Sequence, residues 1–337
     1  MATSLSTEDG HGRDASSPVE IPRRGWLDIL YRVWTEIDDD RVFALAAGVA
    51  YYALLALFPA IGLIVSLYGF LADPATVERN IADLAFILPS GGMEVIGGQL
   101  HRLISQPPRA LGLAFFASLA LSLWSANAGM KALFDALNVV YDETEKRGFF
   151  RLNAISLLFT ALALIFVVLA LVGVVVVPVA LSFVGLGSAA GVLIWLLRWP
   201  ALLLLTIVGL SLLYRFGPSR REPRWQWINW GSALAAVVWI GGSMLFSWYV
   251  ARFGSYDATY GSLGAVIGFL TWIWLSTVVF LIGAELNAEA EHQTARDSTI
   301  GGDKPMGRRC AVMADTLGET KPWRDDAADA AKDDQSR

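Results

Sequence analysis

The sequence has a single cysteine, Cys310, and only three histidines, His11, His101 and His292, in 337 residues. One thiol excludes an internal disulfide framework and a cysteine-based metal site. Three scattered histidines provide no His-x-His-x-Asp-His cluster, the ligand pattern of a metal-dependent RNA hydrolase. There is no Gly-x-Ser-x-Gly elbow and no Gly-x-x-x-x-Gly-Lys phosphate loop. Charged residues make up only 17%, and the net charge is −5. A domain that neutralises nucleic-acid phosphates is usually basic on one face. These absences argue against a nuclease and an ATP-driven pump. No catalytic residue, metal or cofactor is expected, and no nucleic-acid partner. Residues 1–40 also lack an apolar run of signal-peptide type, so the first membrane helix is expected to act as its own uncleaved insertion signal.

What is abundant is apolar length. Hydrophobic residues make up 55% of the chain, gathered in stretches at about 43–72, 109–130, 153–183, 190–214, 230–250 and 261–284. Each reaches about 20 residues, enough to cross a ~30 Å hydrocarbon core as a helix. Helices satisfy their own backbone polar groups, as a bilayer demands. The expected fold is therefore an all-α integral membrane protein with six transmembrane helices over 25–295. The polar tails, 1–24 and an acidic 296–337, are expected to be disordered because they hold too little apolar surface to offset chain entropy.

Positive charge alternates from loop to loop. Arg23, Arg24, Arg32 and Arg41 precede helix one. Lys131, Lys146, Arg147 and Arg151 lie between helices two and three, and Arg215, Arg220, Arg221 and Arg224 between four and five. The other connections carry fewer cations for their length. The positive-inside rule then places both termini in the cytoplasm, in a cell (inner) membrane.

Trp26, Ile29, Leu30, Val33, Trp34 and Ile37 recur at helical spacing ahead of helix one and predict an amphipathic interfacial helix. Asp38, Asp39 and Asp40 are read as capping the entry to helix one. Ala46, Ala47, Gly48, Ala50 and Ala53 form a small-residue face in helix one, and Gly261, Gly264 and Gly268 another in helix six. Between helices one and two, residues 75–108 show two amphipathic stripes, read as an outer helical pair serving as cover or lid.

Helix two is predicted to run past the membrane to about Tyr141. Asn127, Lys131, Asp135, Asn138 and Asp142 share one of its faces. The first four, with Glu285 near the end of helix six, are candidate linings of a polar cavity, with Lys131 and Glu285 able to pair; intramembrane polar residues default to functional candidates. A wet helix end is the alternative for Glu285, Glu289 and His292. Arg215, Arg220, Arg221 and Arg224, interleaved with Trp225 and Trp227, are candidate lipid headgroup contacts, topology control being the alternative.

Four stretches, AAGVAYYALLALFPAIGLIVSLYGFL (46–71), LWSANAGMKALFDALNVVYDETEKRGFFR (123–151), LLYRFGPSRREPRWQWINWGSALAAVVW (212–239) and FSWYVARFGSYDATYGSLGAVIGFLTWIWLSTVVFLIGAELNAEAE (246–291), resemble the BrkB/YihY family of bacterial inner-membrane proteins, often labelled ribonuclease BN-like or virulence factor BrkB. The resemblance covers about 25–295 and implies a six-helix layout. It suggests transport of a lipid or another envelope component. Two function classes follow: a transporter or flippase-like protein for a lipid or amphiphile, with membrane lipids as partners, or a non-transporting envelope scaffold. A bundle cavity open to one leaflet favours the first and a filled bundle the second.

Overall fold

A computed structural model describes residues 10–71, 108–171, 188–253 and 262–321. Eight α-helices stand among them: α1 (Arg23–Asp39), α2 (Val42–Leu71), α3 (Pro108–Val140), α4 (Phe149–Leu171), α5 (Ser188–Phe216), α6 (Asn229–Phe253), α7 (Ser262–His292) and the short α8 (Val312–Asp315). The described residues form no sheet, only an isolated bridge between Pro223 and Thr299. The all-α expectation therefore holds for them. The expected outer helical pair lies, Pro108 apart, outside the described residues.

Four helices carry stretches long and apolar enough to cross a membrane: Phe149–Phe166, Trp199–Phe216, Asn229–Val250 and Val266–His292. Their apolar side chains are not spent on an internal core. Only 11% of Asn229–Val250 is buried, and Leu234, Val237, Val238, Met244 and Leu245 are exposed. In water so large an apolar surface would drive association; facing lipid it costs nothing. α3 runs to Val140, as the polar face following its apolar run predicts. α2 and α3 pack most extensively, and α7 lies against α1, α2, α3 and α6.

Turns between helices are built by residues that tolerate unusual backbone. Arg41 (φ 53°) separates α1 from α2, and Asp142 (φ 52°) ends α3. Both lie in the left-handed region, where Asp is enriched. At the α6–α7 crossing, Gly231 N–H donates to Asn287 Oδ1 at 2.8 Å. A Cβ on Gly231 would strike the Gly283 carbonyl, and one on Gly283 would come within 2.7 Å of Tyr214 Oη. The close approach is thus Gly231–Gly283. Gly268, expected on a packing face, has nothing within 4 Å of its would-be Cβ.

The buried core sits toward the end of the bundle that carries residues 10–22 and 293–321. Val42, Ala46, Phe134, Leu137, Tyr141, Tyr214, Leu281 and Ala284 belong to it. The predicted stripe of α1 divides: Ile29 and Val33 bury against Leu286 and Ala290 of α7, whereas Leu30 and Trp34 stay exposed.

The tails require a correction. Residues 10–24 and 296–321 are packed chain, not the disordered segments expected; the remainder, 1–9 and 322–337, lies outside the described residues. They cap the final turns of α7 by hydrogen bonding. Ala295 N–H donates to Arg13 O at 2.7 Å, Thr294 Oγ1 to Ala15 O at 2.6 Å, and Gly318 N–H to His292 O at 2.9 Å. Arg309, almost wholly buried, donates to the carbonyls of Ala295 and Ala314 at 2.7 and 2.5 Å. The last carbonyls of a helix have no partner of their own and must be satisfied from outside. Here Gly318 N–H supplies one to His292, the last residue of α7, and the other bonds fasten both segments to the residues just beyond the helix. Polar side chains with fixed acceptors replace the apolar surface whose scarcity suggested disorder.

Candidate functional site

A cavity of about 620 Å³ opens where α4, α5 and the loop after α5 meet. Its floor and wall are Ile155, Leu158, Phe159, Leu162, Leu212 and Phe216. Leu158 and Leu162 are exposed on the apolar face of α4, so the wall reaches the lipid-facing surface. Its rim carries Lys146, Arg147, Arg151, Arg215, Arg220 and Arg221, with Glu222 as the one acid. Phe159, Leu162 and Leu212 also line a second, apolar cavity of about 300 Å³, which continues between α4 and α5 to Phe166, Trp239 and Phe280. One polar rim thus adjoins one apolar track.

Several rim cations are already paired. Arg220 makes a two-pronged bond to Glu291, at 2.7 and 3.1 Å. Arg215 donates to Pro223 O at 2.7 Å, meets Glu222 at 3.4 Å and stacks on Trp225 at 4.3 Å. Arg147 is held by Glu145, whose carboxyl is drawn down to about 2: burial alone would raise it, but the Arg147 side-chain and backbone bonds outweigh that. Even so, Arg215 Nε, Arg220 Nε and Arg221 Nη1 are buried with no acceptor among the described residues. A buried guanidinium nitrogen left unbonded is costly. All three belong to residues that line the cavity, although these nitrogens themselves have almost no accessible surface.

Of the other expected headgroup contacts, Arg224 and Trp227 lie apart from this rim. Arg224 donates to Thr299 O at 3.0 Å and Asp303 at 2.6 Å. Trp227 is buried beneath the N-terminal segment with Ala15, Ile21 and Ile29. Trp225 is half exposed and touches the rim through Arg215.

The predicted polar cavity is not assembled. Asn127 and Lys131 both reach Asn153 of α4, at 3.5 and 2.5 Å. Asn138 is buried and accepts from Ser219 N–H at 2.7 Å, fastening the loop after α5 to α3. Asp135 is exposed. Glu285 points elsewhere and makes no ion pair with Lys131: its charged neighbours are Asp40, Glu289 and Glu36. The shared face of α3 exists, but its neighbours change from α4 to the loop after α5 along its length. Glu285 and Glu289 are buried, so the wet helix end is excluded for these two carboxylates, while His292 is partly exposed.

Sequence reasoning gave Lys146, Arg147 and Arg151 a topological role only, and missed Asn153. Their membership of the rim depends on how α4 sits beside α5, which periodicity within one helix does not report.

The virulence factor BrkB family model matches residues 33–306. The chain belongs to that family. It is 31% identical to "Putative ribonuclease-like protein YfkH" of Bacillus subtilis (strain 168), over 72% of this chain and 88% of that protein. It is 30% identical to a "UPF0761 membrane protein" of Alkalilimnicola ehrlichii, over 76% of this chain and 57% of the relative. A "UPF0761 membrane protein" of Tolumonas auensis is 27% identical, over 81% and 88%. No solved structure matches. The family, and with it a place in a membrane, agrees with the resemblance drawn from the sequence.

Proposed function

We propose that the protein binds and moves an anionic lipid or related amphiphile, without catalytic chemistry. The observation that carries this reading is the basic rim continuous with an apolar track. An amphiphile needs both parts: cations for its head and an apolar groove for its tails. α2 and α3, of 30 and 33 residues, complete a six-crossing bundle with the four apolar spans. Both termini lie in the cytoplasm of an inner-membrane protein; the packing of residues 10–22 and 293–321 at one end of α7 fits an even number of crossings.

The ribonuclease wording of one relative is not carried over. The sequence offers no metal-ligand cluster for RNA hydrolysis, and the rim holds a single acid.

Native mass spectrometry of the purified protein tests binding. Arg221→Gln with Arg151→Gln removes rim charge while sparing the Arg220–Glu291 pair. Retained anionic lipid in the parent, reduced in the variant, supports the reading. Reconstitution with a headgroup-accessibility assay tests movement. A bound anionic lipid that never changes leaflet would leave a scaffold that uses lipid as a structural ligand.

A further inference from the structure

Glu285 lies in the last third of α7 with its side chain wholly out of solvent. Neither of its carboxyl oxygens receives a hydrogen bond from any donor among the described residues. The side chain that acts on it most strongly, by charge and by hydrogen bonding, is another carboxyl, that of Asp40 at the elbow between α1 and α2. Two ionised carboxylates are acceptors only, so they bond one another only when one carries a proton.

The surroundings supply acid, not base. Glu36 faces the pair from α1, Glu289 from α7, and Tyr141 from the end of α3. Asp39 and Asp142 act on Asp40. The nearby cations are committed elsewhere. Glu289 takes both Arg32 and His292, the latter at 3.5 Å. Arg220, over the Tyr141 ring at 4.1 Å, is held by Glu291. Among the described residues no three His, Cys, Asp or Glu side chains are arranged to hold a metal ion, which favours a proton as the compensating charge. Two like charges set against one another, one of them fully buried, do not both stay ionised.

We propose that Asp40 and Glu285 form a shared proton-binding site that joins the α1–α2 elbow to α7. The pair takes one proton from solvent, going from two negative charges to one, and holds it between the two carboxyl oxygens. Burial, helped by Asp142, Asp39 and Glu289 and opposed by the Glu285 bond, lifts the Asp40 carboxyl to about 6. Release of the proton sets two like charges face to face and loosens α1 from α7. The site stands on different residues from the amphiphile rim, so it holds or fails independently of that reading.

Infrared difference spectra of the full-length protein in detergent, titrated between about pH 5 and pH 8, test this. Glu36, whose carboxyl is also raised, to about 7, is first silenced as Glu36→Gln; with that protein as the parent, a protonated-carboxyl C=O band should persist to near-neutral pH. That band should vanish in both Glu285→Gln and Asp40→Asn, because the new amide donates to the remaining carboxylate. The pH dependence of thermal stability should weaken in the same two variants. The proposal is overturned by a parent with no protonated carboxyl near pH 6, or by a band that survives both substitutions. It also fails if sodium or potassium at fixed pH, rather than pH itself, shifts stability through these residues. Were one variant not to fold, the parent spectrum and the other variant still decide.

Discussion

Arg220 and Glu291 meet 2.7 Å apart with both side chains completely withdrawn from solvent. Glu291 also accepts from Ser298 Oγ at 2.9 Å, and the guanidinium covers the Tyr141 ring. This pair ties the loop after α5 to the end of α7. It is also the structural fixture of the proposed headgroup rim.

Breaking one side of such a pair strands a buried charge, at a cost of roughly 3–5 kcal/mol. Arg220→Met and Glu291→Gln should each lower the melting temperature in detergent strongly. The double variant should lose clearly less than the sum. Additive losses would mean that the two charges do not depend on one another.

The α6–α7 crossing gives a sharper steric test. Gly283→Ala puts a methyl group against Tyr214 Oη and Ala235, and overpacking of this kind costs about 1–3 kcal/mol. Gly268→Ala meets open space and should be neutral or slightly stabilising, since Ala is the better helix former by about 1 kcal/mol. Thermal melts of the two variants side by side check the contrast. Equal effects would remove Gly283 from the contact.

Glu36 carries a pH signature of its own. Burial first, then Glu289 and the neighbouring aspartates, raise its carboxyl to about 7. A raised acid keeps its proton in the folded state after the unfolded chain has lost it. Its stabilising share is therefore full below the unfolded value, about 4.3, and declines as pH rises to about 7. Glu36→Gln should flatten that decline in a series of melts across this range. An unchanged slope would place the titration elsewhere.

The N-terminal segment is held by a small number of fitted contacts. His11 Nδ1 lies 2.5 Å from the fully buried Asp28, and a Cβ on Gly25 would collide with the His11 carbonyl. Gly25→Ala should dislodge residues 10–22 and speed their limited proteolysis while the helices stay intact. Cleavage at the parent rate would show that the segment is retained without this fit.

How much of this was legible in the sequence depends on the kind of signal. Apolar length gave α4 to α7, and the stripe through Ile29 and Val33 gave α1. The continuation of α3 past the apolar run was readable from Asn127, Lys131 and Asn138. Three things were not. Arg309 and Thr294 bury by serving backbone carbonyls, a role without periodicity. Asp297 organises its loop by accepting from Thr299 and Lys304; the Asp-x-Thr spacing is its only local trace. Asp40 was read as a helix cap, because nothing in one chain segment announces a carboxylate from a helix more than two hundred residues away.

The seal over the end of α7 has a consequence for how the molecule is made. Its two halves, residues 10–22 and 293–321, leave the ribosome on either side of the whole bundle. The N-terminal half must wait, through the synthesis of the whole bundle, for the strand of chain that locks it. Until then Glu289, Glu291 and Gln293 stand open to water. Maturation of this end is thus a closing step after synthesis of the bundle, and a chain arrested before about residue 296 is a bundle with its polar end still unsealed.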